Sequence, residues 1–204
     1  MKKIISTLAF ALLMAATAWA QTSVGVGYLN SIDIVKSGNN TSSNPLNGVY
    51  AGVSFTVPVY GGINFTPGIY YGFATQSDAM DLIITTLSGR RTDHFINIPM
   101  FLSFGLDLNP GLRFFAYAGP SVSFGLASMV TNKLGTTSSS YDRYKEDSNL
   151  NRFDVMLGGG VGVQVRDMFR INVGYDFGML NRYHNSSSIA YRRNQLTAGI
   201  AFLF

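Results

Sequence analysis

The chain holds two histidines, and each stands beside a group with which it could do proton chemistry. In His184-Asn185-Ser186 an imidazole lies two positions from a hydroxyl, a pairing in which a base activates a serine nucleophile. Such a site also needs a carboxylate to orient the base, and no Asp or Glu follows Ser186. Asp93-His94 sets a carboxylate beside an imidazole in the manner of an acid–base dyad, with nothing further to complete it. The chain contains no Cys, which excludes disulfides, thiolate metal sites and a lipid-anchored cysteine. No catalytic, cofactor-binding or metal-ligating residue is assigned on these grounds. No cofactor is expected, and the chain is expected not to be an enzyme.

Five further charges, Arg113, Asp154, Arg170, Asp176 and Arg193, take their meaning from the elements that carry them. Across residues 169–179 the odd positions read Phe169, Ile171, Val173, Tyr175, Phe177 and Met179. The even ones read Arg170, Asn172, Gly174, Asp176 and Gly178. Side chains on a strand alternate between faces, so one face is apolar and the other polar or small. The same period of two runs through residues 23–30, 49–57, 63–73, 96–105, 112–124, 153–165 and 193–204. All five charges fall on the polar parity. The segments make eight strands, joined alternately by short connections (58–61, 106–111, 166–168) and longer polar stretches (34–47, 75–91, 127–149, 181–190). That asymmetry is the pattern of an all-β, eight-stranded antiparallel up-and-down transmembrane β-barrel. It puts both termini on the periplasmic side and the long loops outside.

A lipocalin-like barrel and a β-sandwich share the alternation but put the apolar face inside. Their water-facing side would carry many Lys and Glu, whereas the polar faces here hold Gly, Ser, Thr and Asn. Glu146 is the sole Glu of the chain, and it lies in the third long stretch. Apolar-face aromatics gather toward strand ends, Phe65, Phe104, Phe114, Phe169 and Phe204 on the periplasmic side and Phe73, Phe124, Phe153 and Phe177 on the other. Two interfacial girdles are expected from them. An eight-stranded barrel is just wide enough for side chains to fill, so the lumen is expected to be plugged, with Arg170, Asp176 and Arg193 ion-paired within it.

The N-terminus reads as an export signal. Lys2 and Lys3 precede an apolar run from Ile4 to Ala16, and Ala18-Trp19-Ala20 supplies a small-x-small cleavage site. The run is too short to span a bilayer as a helix, which takes about 20 residues. The expected division is therefore residues 1–20 as signal peptide and 21–204 as the barrel domain, integral in the outer membrane. Removing Lys2 and Lys3 from the 15 basic side chains leaves 13 against 11 acidic ones. No basic cluster remains to track a phosphate backbone, and nucleic acid is excluded as a partner.

Four segments together resemble the PorT-like outer-membrane β-barrel family of Bacteroidota. They are the His94-to-Leu102 strand with Ile98-Pro99, the run Ala116-Tyr117-Ala118-Gly119-Pro120-Ser121, the Gly-rich Leu157-to-Gly162, and Val173-to-Met179. The terminal Phe204, with apolar residues at every second position before it, is similar to the signal read by the barrel-assembly machinery. His184-x-Ser186 resembles the His-x-Ser of outer-membrane lipid A deacylases, without their following carboxylate. The PorT-like resemblance implies the barrel fold, the outer membrane, contact with membrane lipid and lipopolysaccharide, and a surface or secretion-system partner reached through the loops. The mixed-charge, Tyr-bearing end of the third loop, Tyr141 to Asp147, is the segment suited to such a partner; shielding of the barrel rim is the plainer role for it. Alternatives left open are a lipid A deacylase-like enzyme and a small porin. N-terminal sequencing of the membrane-extracted protein should begin at Gln21; an intact Lys2-Lys3 start would remove the export signal from this reading.

Overall fold

A strand that alternates apolar and polar residues has to bury or solvate each face separately, and this chain does so by closing its strands into a ring. The computed structural model describes residues 20–81, 86–134, 137–183 and 189–204, with the backbone alone at 78–81, 86–87 and 134. Its strands are β1 (Gln21–Ser37), β2 (Asn40–Tyr60), β3 (Ile63–Asp81), β4 (Thr86–Asn109), β5 (Leu112–Leu134), β6 (Thr137–Asp142), β7 (Phe153–Val165), β8 (Phe169–Gly178) and β9 (Ile189–Leu203). A single helical turn, α1 (Arg143–Glu146), follows β6, with the Asp142 carboxylate accepting from the Tyr144 amide as its cap. Antiparallel pairing runs β4-β3-β2-β1-β9-β8-β7-β5, and a β4–β5 pairing closes the circle. The ring thus has eight strands, the expected fold. β6 lies outside it, paired to the far end of β5 alone.

The inward and outward parities expected from sequence hold around the ring. Val24, Val26 and Tyr28 of β1, Ile98, Leu102 and Phe104 of β4, Phe114 and Phe124 of β5, and Ile171, Val173 and Phe177 of β8 are all exposed. The intervening Ser23, Ser54, Ser121, Asp154 and Arg193 are buried inside. Bands of rings mark the two ends of the outer surface. At the termini, Phe202 packs edge-on against both Phe169 and Phe204. At the opposite end the Tyr71 hydroxyl and His94 Nδ1 share a hydrogen bond of 2.5 Å, with Phe73 against the same imidazole.

Three of the four long polar stretches, by contrast, are mostly strand. β1 and β2 stay in register as far as Ser37 opposite Asn40, leaving a two-residue turn where a loop over 34–47 was expected. β3 and β4 pair out to Asp81 opposite Thr86, and β5 pairs with β6 out to Leu134 opposite Thr137. Beyond the apolar band both faces of a hairpin meet water, so the pairing continues while the alternation of hydropathy that reveals it stops. At the termini the connections are tight. Gly61 and Gly62 both take positive φ, as do Arg166 and Asp167, the conformation that reverses a twisted ribbon in two residues. The first of these turns is only Gly61-Gly62, at the end of the expected 58–61, because β2 runs on to Tyr60 through a bulge between Pro58 and Tyr60.

Parity can be tested by substitution. Val173→Arg sets a charge on the lipid face at mid-depth and should cost about 2–4 kcal/mol of barrel stability. Asn172→Ser, one residue away on the inner face, should be tolerated. Heat-modifiable gel migration of both variants reads the difference, and equal tolerance would invert the assignment of faces.

Candidate functional site

With the outer wall committed to lipid, the remaining chemistry of the described residues is concentrated in the lumen. Positions two apart on a strand share a face, so Arg91, Asp93 and Phe95 of β4 all point inward, as do Asp33 of β1 and Tyr191, Arg193 and Gln195 of β9. Register then brings them together: Asp33 stands opposite Arg193, and Asp93 opposite Ser128. Arg91 Nη1 reaches Asp33 Oδ2 at 2.6 Å and Arg91 Nη2 reaches Asp93 Oδ2 at 2.5 Å. Arg193 donates to Asp93 Oδ2 at 2.9 Å and to Asp33 Oδ1 at 3.4 Å. The Ser128 hydroxyl donates to Asp93 Oδ1 at 2.7 Å, and the Tyr191 hydroxyl donates to Asp33. From the segment after β8, Arg182 donates to the Tyr144 hydroxyl at 2.7 Å and lies 3.9 Å from Asp33 and 4.0 Å from Asp154.

Three guanidiniums and three carboxyls are thus gathered into one layer across the lumen at the end away from the termini. Asp33, Asp93, Asp154, Arg182 and Arg193 are almost wholly buried. Rings face the guanidiniums as well: Arg193 lies 5.1 Å over Phe95 and Arg182 5.4 Å over Tyr191. Beneath this lid an apolar layer of Leu29, Leu46, Ala74 and Phe95 packs with Tyr50.

Below that lies a chamber of about 120 Å³ lined by Tyr50, Tyr70, Tyr117, Phe101, Phe115 and Arg170, among others. The Gly-rich β7 makes room for these rings. A Cβ at Gly160 would lie 2.5 Å from the Tyr117 hydroxyl, and one at Gly174 of β8 2.3 Å from it. The floor holds no direct ion pair among the described residues: Arg170 stacks over Phe115 and donates to Gln164 at 2.9 Å, and Gln164 in turn donates to the Asp167 carboxylate at 2.7 Å.

The lumen holds an ion-paired layer, with a different membership from that expected. Arg193 belongs to it, but Arg170 is in the floor, and Asp176 lines the chamber without an ion pair among the described residues. Arg193 meets Asp33 and Asp93 instead, because a slanted, staggered sheet sets facing residues by register across the lumen rather than by nearness in sequence. Arg91 and Arg182 were missed because they sit in stretches read as loop, and Asp33 because it falls between the first strand read, 23–30, and the loop after it. Their signal was the Arg-x-Asp spacing of Arg91 and Asp93, which puts both on one face. Arg113 and Asp154 are inward as expected, Arg113 at the mouth with Asp107 at 3.8 Å. Asp93 and His94 form no dyad, since they lie on opposite faces, one in the lid and one against Tyr71. His184, Asn185 and Ser186 lie outside the described residues, as does the segment read as an export signal apart from Ala20. Among the described residues no three His, Asp or Glu side chains gather as a metal site.

A closed antiparallel ring with an apolar outer wall and an ion-paired interior defines an integral membrane β-barrel of the outer-membrane class. The chain belongs to the outer membrane protein beta-barrel domain family, whose sequence model matches residues 19–183. It is an outer-membrane protein. The match ends before β9, the strand that closes the ring. No curated protein matches the chain. Among solved structures it is similar to Ail, the attachment invasion locus protein of Yersinia pestis, at 15% identity and a TM-score of 0.40, covering 91% of this chain and 99% of that one. Neisserial surface protein A is 13% identical with a TM-score of 0.45, covering 90% and 97%. The outer membrane enzyme PagL is 8% identical with a TM-score of 0.44, covering 85% and 97%.

Removing one member of a buried ion-pair network leaves its partners charged and unpaired, at a cost of about 3–5 kcal/mol. Arg193→Met should therefore lower the unfolding free energy by about that much in urea titrations of the protein in lipid vesicles. Arg192→Met, next in sequence but on the outer face, should change it by less than about 0.5 kcal/mol. Similar losses would show that the lid does not hold the barrel.

Proposed function

We propose that this protein is a closed outer-membrane barrel of the structural or surface-interaction type, with a narrow plugged lumen and its long hairpins facing outside. It is exported by a signal peptide cut after Ala20, and its termini lie in the periplasm. The observation that carries the reading is the lid: paired charges drawn from β1, β4, β7 and β9 block the lumen, so solutes have no ready path through it. The partners are membrane lipid and lipopolysaccharide around the wall, with a surface or secretion-system protein reached through the hairpin end. The β3–β4 and β5–β6 hairpins, with Tyr141 to Asp147, supply the polar surface for that contact. β9, with Phe202 near its end and Phe204 just after it, is the strand presented to the barrel-assembly machinery. Within the family, Ile98-Pro99 and Gly119-Pro120-Ser121 support placement in the PorT-like branch of Bacteroidota.

One observation favours a second reading. His184 and Ser186 keep the spacing of a base and its nucleophile, which suits a lipid A deacylase-like enzyme. Against it stands the want of a carboxylate after Ser186. A small porin, the other alternative, would require the lid to open.

Two measurements on the full chain separate these readings. In planar bilayers we expect at most small, rare openings, and large steady conductance would make the protein a porin. In cells expressing it, the mass of lipid A should stay unchanged. Loss of one acyl chain, abolished by His184→Ala or Ser186→Ala in barrels that still fold, would replace the non-enzyme reading.

A further inference from the structure

The outward faces of the eight ring strands carry almost no charge, and the exceptions follow a pattern. Apart from the imidazole of His94, the charged side chains described there are Lys36, Arg90, Lys133 and Arg192. All four are basic, all four are exposed, and all lie at the end away from the termini. Each sits beyond the last large apolar outward residue of its strand, which is Ile34 for Lys36, Ile96 for Arg90, Met129 for Lys133 and Leu196 for Arg192. They form two pairs. Lys36 is opposite Ala190 and Ile34 opposite Arg192, so Lys36 and Arg192 are diagonal neighbours across the β1–β9 seam. Arg90 is opposite Thr131 and Ser88 opposite Lys133, which makes the same diagonal across the β4–β5 seam. In the order of the ring these two seams are half a turn apart.

A diagonal pair stands about 7–8 Å apart at the backbone, within converging reach of two long side chains. A planar guanidinium fork beside an ammonium suits the oxygens of one phosphate, the first giving two parallel hydrogen bonds and the second a point charge. Hydroxyls flank the second pair on the same face: Thr75 accepts from Arg90 Nε at 3.3 Å and lies 3.4 Å from the Thr92 hydroxyl. Because all four basic groups share the parity of the lipid-facing residues, an anion they hold must lie alongside the barrel wall. The lumen and the loop crown do not offer that position.

We infer that the two pairs are clamps for the phosphates of the outer-leaflet lipid, one lipid A molecule at each seam. This deepens the reading that lipopolysaccharide is a partner, and rests on the end away from the termini facing outside. It makes the boundary of the barrel a specific binding surface for phosphorylated glycolipid, held at two opposite points.

The test titrates detergent-purified full-length protein with bisphosphorylated lipid A and reads occupancy by native mass spectrometry. We expect two lipids per barrel, and one in either Lys36→Gln/Arg192→Gln or Arg90→Gln/Lys133→Gln, with affinity at the altered seam falling about tenfold or more. Lys145→Gln, a charge removed from α1 instead, should leave both in place. Equal binding of lipid A stripped of its phosphates overturns the inference, as does an equal loss in Lys145→Gln. Competition by inorganic phosphate at concentrations matching the lipid would assign the pairs to free anions and overturn the lipid. Folding of each variant is checked by heat-modifiable migration. Should a double variant fail it, Lys36→Gln and Lys133→Gln singly carry the test, with unchanged affinity in both as the refuting result. The titration in detergent is independent of orientation, so its failure sinks the clamps alone. Labelling of Lys145→Cys on intact cells tests separately which end faces out.

Discussion

Inside a bilayer no water is available to the peptide N–H and C=O groups, and each one left unpaired costs several kcal/mol. A chain whose longest apolar alternations are far too short for membrane helices can meet that demand only by closing its strands on themselves. Closure is visible in β1, whose Val26 faces Ala51 on one side and Ile200 on the other, more than a hundred residues distant along the chain. Much of the remaining structure follows from it. An antiparallel ring with both termini at one end needs an even number of strands and a tight reversal at every terminus-side connection. Gly61-Gly62 and Arg166-Asp167 meet that need with positive φ, at a backbone cost in the second case that Gly would avoid. A ring of eight is also narrow, so every inward side chain has to fit against those from the opposite wall.

That narrowness explains why charge is collected rather than spread. A single Arg or Asp in the lumen would be desolvated without recompense, whereas a layer in which each guanidinium meets carboxylates, hydroxyls and ring faces offsets much of its burial cost. Asp33 shows the principle: Arg91, Arg193, Arg182 and Tyr191 converge on its two oxygens. At the floor the solution differs. Arg170 is held by a ring, an amide and the Thr56 hydroxyl and has no acidic partner among the described residues, so this end relies on stacking and on guanidinium hydrogen bonds to uncharged acceptors. Between the two, tyrosines set against inward glycines fill the section where no charge is paired.

The sequence was readable wherever two different solvents touched the two faces of a strand. Ile171, Val173 and Phe177 against Arg170, Asn172 and Asp176 carry that contrast, and the membrane-embedded part of all eight strands was legible from such runs. It failed where the contrast vanishes. Thr41 to Asn44 and Thr131 to Lys133 are paired strand, yet water lies on both sides of them and their side chains show no period. The lid was legible in kind but not in membership, for a related reason. Parity tells which side chains enter the lumen, but partners across it depend on stagger, and Asp33 and Arg91 lay outside the segments read as strand. Asp93-His94 shows the converse, since adjacency in sequence suggested a dyad that the pleat of the strand forbids.

The two seals place different demands on any motion of the barrel. The floor joins β7 to β8 and to Thr56 of β2 through single hydrogen bonds, and could rearrange locally. The lid ties β1 to β4 and β9 through shared carboxylates, adds β5 through Ser128 and β7 through Asp154, and so couples five of the eight ring strands. Opening it would break several charge-assisted contacts together, and each freed group would need water that the narrow section has little room to admit. A barrel built in this way is stiffest where a channel would have to be most compliant. The far end of the β5–β6 hairpin and the outward basic pairs stay outside this network, whereas α1 is tied to it through Tyr144 and Arg182.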